Sequence, residues 1–388
     1  MNIYIIPAWY PQNETDIAAS FFREQAHALA AYGHDVTVIH IEPVSVLQIF
    51  KQPIHQRREW IDGDVRTFFH KVIVPIPGKF TRLQDLFISR LFLTLIRKQI
   101  KADFAAGRSA PDLLHAHVSH SCGYYCLTTA KQLNLPLVVT EHYSGLVQGT
   151  ATAREYERVR QTILRSDSFI FVGSNFQKLI CHRLKIQKST HVIGNLLPDR
   201  FFQSVSKTQS ETFTFLCACH LKANKGVDYV IRAFHETFPQ MSNVQLRIAG
   251  DGEMYVTLKQ LAAELREDDR IYFFGKYSRE DAPKLFSESD AFVLTSRVET
   301  FGIVYLEAMS AGLPCIGTQG QGADDIITEE SGFLVEYGQL EQLSDAMRII
   351  YQNRKSYDTS TIQEECRQKF SASAICRQLE TVYKELKR

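Results

Sequence analysis

Short apolar segments alternate with amphipathic stretches along this chain, and this alternation is the feature that most constrains its fold. Near the beginning, Asn2–Ile6 and Asp35–His40 enclose a helical pattern from Ala18 to Tyr32 that ends at Gly33. A strand–helix–strand repeat of this kind is typical of a parallel sheet covered by helices. The same alternation predicts strands at 112–117, 136–140 and 168–172, and helices through Ala130 and at 154–166.

A second series of strands and helices follows the polar stretch 203–212. Its predicted strands are 213–217, 244–249, 271–274 and 291–295, and its predicted helices are 227–234, 255–265 and 282–286. Pro198 and the Ser/Thr/Gln-rich composition of 195–210 interrupt the periodicity, as a linker does. We therefore predict an α/β protein with two Rossmann-like domains, residues 1–198 and 199–371, that face each other across a ligand-binding cleft.

The composition excludes several classes of protein. With 388 residues, the chain exceeds what one hydrophobic core usually serves. Its 44 Lys and Arg residues balance 43 Asp and Glu residues, which gives no basic footprint for nucleic acid. The first residues lack a secretory signal and no apolar run spans a bilayer, so we predict a cytoplasmic protein. The eight cysteines lack paired CxxC spacing, which predicts buried free thiols.

Two carboxylates near the three-quarter point, Glu299 and Glu307, bracket a Phe301–Gly302 step that directly follows the apolar run 291–295. A buried strand that leads through a glycine turn into a helix presents backbone N–H groups to a phosphate. Glu307 lies on a different helix face from its apolar neighbours. The spacing alone leaves two interpretations open. Either Glu299 caps the helix and Glu307 is solvated, or both accept hydrogen bonds from the hydroxyl groups of a ligand.

The order of several motifs resembles the signature of glycosyltransferase family 4, whose members are retaining transferases of the GT-B architecture. The motifs that carry the resemblance are 296–314, Asn224–Lys225–Gly226 with the helix after it, the turn 250–252, Gly275, and 320–327 followed by 332–335. The resemblance is strong over about residues 213–348 and weaker before them. It implies transfer of a sugar from a nucleotide-diphosphate sugar to an acceptor hydroxyl, in cell-surface polysaccharide or glycolipid synthesis. It also implies that a helix at about 372–388 returns to the first domain.

The resemblance assigns roles to individual residues of the second domain. Glu299 would contact hydroxyl groups of the donor sugar, Glu307 would contact the ribose, and Lys225 would neutralise the leaving diphosphate. The remaining donor-binding positions are the Gly-x-Gly turn at Gly250 and the backbone of Phe301, Gly302 and Ile303, where a helix N-terminus favours an anion.

Two histidines complete the predicted site. The segment 139–144 resembles the family's Thr-x-His turn, which places His142 beside the donor sugar and the acceptor. Cys219–His220 stands where the family usually has Gly-Arg, so His220 either replaces the arginine as a donor-binding residue with pH-dependent charge or belongs to core packing. Tyr10–Pro11 and 21–25 resemble the family's first loop and helix, with Ala19 near the usual glycine.

No metal and no cofactor are expected, because Lys225 and helix amides would carry the phosphate charge. His115, His117 and His120 resemble a metal cluster, but the first two continue a strand, which favours a core or cleft role. Asp62–Gly63–Asp64 formally spells a metal-binding DxD motif. Its position between apolar segments instead predicts a hairpin turn.

The segment 79–101 combines apolar and basic residues at helical spacing. Such a helix either packs against the first domain or contacts an anionic membrane, and membrane contact would suit a lipid-linked acceptor. The expected partners are thus a nucleotide-sugar donor and a saccharide or lipid-linked acceptor. A nucleotide-sugar epimerase and a non-catalytic nucleotide-sugar-binding protein are the alternatives, whereas a dehydrogenase is disfavoured because neither half has a convincing G-x-G-x-x-G.

Overall fold

A computed structural model describes residues 1–11, 20–46, 56–76, 81–203 and 211–386 of the chain. They form two compact units. Unit 1 comprises Met1–Val172, Gln177–Gly194 and Ile375–Arg388, and unit 2 comprises Gly173–Phe176 and Asn195–Ala374. Predictions at Ala18, Ala19, residues 79–80 and most of the 203–212 stretch fall outside the described residues.

Unit 1 is built on an eight-stranded sheet in which the neighbouring strands are parallel except for one antiparallel hairpin at an edge. Its order is β3-β4-β2-β1-β5-β6-β7-β8. The strands are β1 (Asn2–Ile6), β2 (Asp35–Ser45), β3 (Gln56–Asp62), β4 (Val65–Val74), β5 (Leu113–His117), β6 (Leu137–Glu141), β7 (Ser168–Phe171) and β8 (His191–Val192). Every residue of β1, β5, β6 and β7 is buried, as expected for parallel strands with both faces covered.

The helices of this part of the chain follow the strands in alternation. They are α1 (Ser20–Ala31), α2 (Thr81–Ala105), α3 (Tyr124–Leu133), α4 (Gly145–Gln148), α5 (Ala153–Arg165) and α6 (Ser174–Leu184), with a π-helical turn at Ser119–Gly123. Strand β2 extends five residues beyond its predicted end at His40, because it pairs with β4 from Thr37 to Ser45. That pairing has no local signature in the sequence.

Unit 2 is built on a six-stranded parallel sheet with the order β11-β10-β9-β12-β13-β14. Its strands are β9 (Phe213–Ala218), β10 (Val244–Ala249), β11 (Ile271–Gly275), β12 (Ala291–Val293), β13 (Cys315–Thr318) and β14 (Gly332–Val335). Its helices are α7 (Val227–Thr237), α8 (Tyr255–Glu264), α9 (Ala282–Ser287), α10 (Ile303–Ser310), α11 (Leu340–Gln352) and α12 (Thr359–Phe370). The chain order reverses between β9 and β12, which is where ligands bind in sheets of this type. The predicted α/β class with two Rossmann-like domains is confirmed.

The last helix, α13 (Ala372–Glu385), returns to unit 1 as predicted. Its Tyr383 is fully buried, and the hydroxyl group of Tyr383 lies 2.7 Å from Nδ1 of His115 on β5. The other ring nitrogen of His115 lies 2.8 Å from the hydroxyl oxygen of Thr140 on β6. His115 is therefore a core residue whose two nitrogens are both engaged.

Two further predictions concern surface elements of unit 1. The Asp62–Asp64 motif is a hairpin turn, as predicted, since Asp62 pairs with Val65 across the antiparallel β3 and β4. Helix α2 buries Ile88, Phe92, Leu93 and Ile96, so many of its apolar residues serve packing. None of the helices in the described ranges is both long enough and apolar enough to cross a membrane.

Gly332, at the start of β14, provides a test of the unit 2 sheet. Its φ angle is 150°, and an added Cβ atom would lie 1.8 Å from the carbonyl oxygen of Cys315. We expect Gly332→Ala to lower the free energy of unfolding by about 2 kcal/mol or more, from backbone strain and steric overlap. Gly338→Ala is the matched control, because Gly338 also has a positive φ, 82°, but its nearest neighbour is 3.8 Å away. Urea unfolding measures both variants, and equal losses of unfolding free energy would contradict the close approach of Gly332 to the Cys315 carbonyl oxygen.

The buried His115 predicts a pH dependence of stability. Burial lowers the pKa of His115 from 6.5 to about 3, so between these values the unfolded chain binds one proton more than the folded chain. The contribution of His115 to the free energy of unfolding therefore falls as the pH drops through this window. His115→Gln retains a hydrogen-bond donor and an acceptor. We expect it to reduce the slope of the free energy of unfolding against pH by about 1.4 kcal/mol per pH unit in this window. Urea unfolding between pH 4 and pH 7 measures it, and an unchanged slope would contradict the burial.

Candidate active site

The loops after β9 and β12 are joined at the point where the strand order of unit 2 reverses. The Thr295 hydroxyl donates a hydrogen bond of 3.0 Å to the carbonyl oxygen of Gly226, and the Arg297 N–H donates one of 2.8 Å to that of Asn224. Gly226 has a φ angle of 66°, and an added Cβ atom would lie 2.3 Å from the Thr295 carbonyl oxygen. A side chain at position 226 would therefore push the two loops apart.

This junction brings Lys225 and Glu299 together as an ion pair. The distance from Nζ of Lys225 to Oε2 of Glu299 is 2.7 Å, and the two side chains are 20% and 16% exposed. Burial on its own would lower the pKa of Lys225, but the Glu299 carboxylate outweighs it and raises the pKa above its ordinary value. The ammonium group therefore stays charged at neutral pH.

The backbone of Glu299 is fixed by the segment after β13. The Glu299 N–H donates a hydrogen bond of 3.0 Å to the side-chain oxygen of Gln321. The Gly322 N–H donates one of the same length, 3.0 Å, to the carbonyl oxygen of Glu299. Three strand ends, those of β9, β12 and β13, thus determine where the Lys225–Glu299 pair stands.

Helix α10 begins beside this pair at an N-cap without a side chain. Gly302, the N-cap residue, has a φ angle of 96°, and an added Cβ atom would lie 2.6 Å from the Tyr305 ring. Phe301 is buried with its ring centroid 5.7 Å from that of Phe370, and Ile303 opens the helix half-buried. The first backbone N–H groups of a helix have no partner within it, so an anion can accept their hydrogen bonds.

Glu307 lies in the second turn of α10 and is only 4% exposed. Its carboxylate forms an ion pair with the guanidinium group of Arg279, which follows β11. The interpretation in which Glu299 caps the helix and Glu307 is solvated is wrong, because Gly302 is the N-cap and Glu307 is buried. No sequence motif singles out Arg279, since its distance of four residues from Gly275 carries no signal by itself.

The loop after β9 places His220 on the surface of unit 2. Its side chain is 55% exposed, so the core-packing interpretation of His220 is wrong. Nδ1 lies 2.6 Å from the carbonyl oxygen of Asp251 and must donate to it, which leaves Nε2 as an acceptor in the neutral ring. Gly250 precedes Asp251 with a φ angle of 131°, and an added Cβ atom would lie 1.8 Å from the Cys219 carbonyl oxygen. The ends of β9 and β10 thus touch backbone to backbone.

In unit 1, His142 directly follows β6 and belongs to a cluster of aromatic rings. Its Nε2 lies 3.1 Å from Nδ1 of His117, the last residue of β5. Burial lowers the pKa of His117 well below its ordinary value, so this ring is neutral. The ring centroid of Phe22, on α1, lies 4.9 Å from that of His117 and 5.0 Å from that of His142. The position of His142 is therefore determined by β5, β6 and α1.

A buried carboxylate, that of Glu141, shapes the loop that carries His142. Glu141 is fully buried, and its Oε1 accepts hydrogen bonds from the N–H groups of His142 at 2.9 Å and Tyr143 at 2.8 Å. Its Oε2 accepts one from the Ser119 N–H at 3.0 Å, which connects the ends of β5 and β6. Glu141 lies within the motif 139–144, which by itself indicates no role for this residue. The signal available was a charged residue at the end of an otherwise apolar strand.

The histidines of β5 do not form a metal site. Both ring nitrogens of His115 are engaged, as described above, and His117 faces His142. Across the residues that the structure describes, no group of three or more His, Cys, Asp and Glu side chains is arranged to hold a metal ion.

Comparisons with known proteins identify the family of the chain. The family model "Glycosyltransferase Family 4" matches residues 18–198, and "Glycosyl transferases group 1" matches residues 198–366. N-acetyl-alpha-D-glucosaminyl L-malate synthase of Bacillus anthracis is 27% identical over 299 residues, which cover 73% of this chain and 77% of that protein.

A second relative is the GDP-mannose-dependent monoacylated alpha-(1-6)-phosphatidylinositol monomannoside mannosyltransferase of Corynebacterium glutamicum. It is 30% identical over 210 residues, which cover 48% of this chain and 55% of that protein. Among solved structures, Anabaena HepE in complex with UDP has a TM-score of 0.71 and 17% identity, over 99% of this chain and 100% of that one. The fold is that of GT-B glycosyltransferases, and the chain belongs to glycosyltransferase family 4, with the group 1 glycosyl transferase domain as its second half.

Proposed function

We propose that this glycosyltransferase moves a sugar from a nucleotide-diphosphate sugar to an acceptor hydroxyl group with retention of anomeric configuration. The observation that carries the proposal is the Lys225–Glu299 pair, which stands at the strand-order reversal of unit 2 next to the N-terminus of α10. A fixed cation, a helix N-terminus and a carboxylate together match the diphosphate and the hydroxyl groups of such a donor.

In this proposal each part of the donor has its own partner in unit 2. The diphosphate accepts hydrogen bonds from the backbone of Phe301, Gly302 and Ile303, and Lys225 neutralises the charge that develops when the sugar leaves. Glu299 accepts hydrogen bonds from sugar hydroxyl groups, which releases it in part from Lys225. Glu307 accepts those of the ribose. His220 follows β9 and the turn at Gly250 follows β10, the strand that lies on the other side of β9 from β12.

The proposed reaction is a displacement on one face of the sugar. The bond between the anomeric carbon and the β-phosphate oxygen breaks, and the acceptor oxygen bonds to the same face of that carbon. The acceptor proton passes to the departing phosphate oxygen. Lys225 stabilises the departing diphosphate, a role that requires no metal. His142, on unit 1, serves the donor sugar and the acceptor in this scheme, and its neutral neighbour His117 holds its ring in place.

The base and the sugar of the donor can be identified by binding measurements with a panel of nucleotide sugars. One relative carries GDP-mannose in its name and one structural neighbour holds UDP, so both bases belong in the panel. We propose that the acceptor is a saccharide or a lipid-linked saccharide and that the protein works in the cytoplasm. Thermal unfolding with UDP-, GDP- and ADP-sugars identifies the donor by its stabilising shift. Incubation with that donor alone distinguishes a transferase from an epimerase. A changed sugar in the donor, formed without any acceptor, would contradict a transferase.

Contact of α2 with an anionic membrane stays a prediction. The apolar residues that remain exposed on α2 include Leu83 and Leu86, near its beginning. Flotation with anionic vesicles measures this contact, and a protein that stays with the unbound fraction would contradict it.

Lys225→Ala removes the proposed leaving-group cation, and we expect it to lower kcat by about 10²- to 10³-fold. Glu299→Ala removes the sugar contact and should lower turnover severely as well. Lys222→Ala is the matched control, because Lys222 is exposed in the same loop. Initial rates of sugar transfer with the selected donor measure all three, and circular dichroism confirms that the fold is intact. Near-normal transfer by the Lys225 or the Glu299 variant would contradict the assignment.

The stereochemistry and the metal requirement give a separate test. We expect ¹H NMR of the first-formed product to show the anomeric configuration of the donor. We also expect the rate to be unaffected by EDTA, since Lys225 and the α10 amides carry the phosphate charge. An inverted product would rule out the same-face displacement, and a rate that EDTA abolishes and Mg²⁺ restores would rule out the metal-free scheme.

A further inference from the structure

The ion pair between Arg279 and Glu307 has no part in the scheme above, although Glu307 itself is the proposed ribose contact. The Arg279 side chain is 19% exposed and that of Glu307 is 5% exposed. We infer that Arg279 is a positioning residue for nucleotide binding, which keeps Glu307 ionised and oriented so that its carboxylate accepts hydrogen bonds from the ribose hydroxyl groups. This inference rests on the proposed function, because it names the residue that makes the ribose contact possible.

Glu307 is almost completely desolvated. A carboxylate that is almost completely removed from water loses the solvation that keeps it charged, unless a cation or several N–H groups replace the water. Arg279 supplies the cation. In a neutral state, the carboxyl group would keep one proton and present a donor where two ribose hydroxyl groups need acceptors. The affinity for ribose therefore depends on the charge that Arg279 maintains.

Arg279 lies against an aromatic ring and next to a hydrogen-bonded turn. Its guanidinium carbon lies 4.8 Å from the ring centroid of Phe201, which is buried in the short helix 199–202. A cation over an aromatic face gains from the electron-rich ring, and the flat guanidinium group then has a defined plane. Next to Arg279, the Ser278 hydroxyl donates a hydrogen bond of 2.6 Å to the Asp281 carboxylate. The Asp281 N–H donates one of 3.1 Å back to Ser278 and closes the turn.

Helix α10 carries Glu307 close to its own N-terminus. Glu307 lies one helical turn beyond Ile303, on the helix whose N-terminus receives the diphosphate in the proposed scheme. A nucleoside diphosphate places its ribose next to its phosphates, so a carboxylate one turn along is within reach of the ribose. Ionised carboxylates accept two hydroxyl groups side by side, whereas a single hydroxyl group uses half of that capacity. Loss of the 2′-hydroxyl group is therefore the sharpest probe of an ionised and oriented Glu307.

The test compares binding of ribonucleoside and 2′-deoxyribonucleoside diphosphates by isothermal titration calorimetry. The probe pair is UDP and dUDP, GDP and dGDP, or ADP and dADP, according to the base selected by the donor panel. The variants are Glu307→Gln, Arg279→Gln and Arg279→Lys. Arg348→Gln is the matched control, because it breaks an exposed ion pair with Asp345 on α11 of the same unit.

We expect the wild-type protein to bind the ribonucleotide about ten-fold more tightly than the deoxyribonucleotide, as for the loss of a hydrogen bond to a charged group. Both Arg279→Gln and Glu307→Gln should bring this ratio of affinities close to one. The double variant Arg279→Gln/Glu307→Gln should show no further loss of discrimination between the two nucleotides. Arg279→Lys, which keeps the charge, should restore part of the ratio. Arg348→Gln should match the wild type.

Two results would overturn the inference in different ways. If Arg279→Gln weakens both nucleotides equally and the ratio stays at its wild-type value, Arg279 contacts the diphosphate directly or serves only the fold. If the wild-type protein itself does not discriminate between the two sugars, the ribose contact of Glu307 is wrong and the inference falls with it. Sugar transfer by the wild-type protein, measured in parallel, shows in either case whether the proposed function stands.

Discussion

The candidate donor site depends on one constraint of the unit 2 sheet, the hydrogen-bonded neighbourhood of β9 and β12. These strands are adjacent in space but far apart in sequence, and their connections leave in opposite directions. The backbone contact between Gly226 and Thr295 converts that adjacency into a defined distance between two loops, so that Lys225 and Glu299 meet. The hydrogen bond from the Glu299 N–H to Gln321 and the N-terminus of α10 lie next to this junction.

Charge in the site is balanced before any ligand arrives. Glu299 has Lys225 and Glu307 has Arg279, so both of these carboxylates in unit 2 have a cation as a partner. Pairs of this kind cost desolvation energy and contribute little to the stability of the fold. A role in ligand binding therefore explains them better than a role in stability. Preorganised charges of this type stabilise a leaving group without reorganisation at the moment of reaction. Under the proposed function, a donor diphosphate would meet cations and N–H groups that are already in place.

Features with a local signature were predictable from the sequence, and features created by pairing were not. The bounds of β1 and β10 coincide with the predicted segments, because Pro7 follows the first apolar run and Gly250 follows the second. The α10 loop was recognisable for the same reason, since its glycine and its two carboxylates lie within a few residues of each other. In contrast, the extension of β2 depends on β4, and the role of Arg279 depends on Glu307, 28 positions away in the chain (307 − 279). His220 was ambiguous because exposure at a strand end is decided by the neighbouring strand, β10.

The return of α13 to unit 1 has a consequence for the order in which the protein is completed. Residues of unit 1 lie on both sides of unit 2 in the chain, and the Tyr383 hydroxyl group closes a polar contact in the β5 core. Domains fold as units while they emerge from the ribosome. All residues of unit 2 are available once residue 374 has emerged, whereas the contact between Tyr383 and His115 in unit 1 can form only after residue 383 has emerged. The core of unit 1, which contains the first residues of the chain, is therefore completed by residues near the C-terminus.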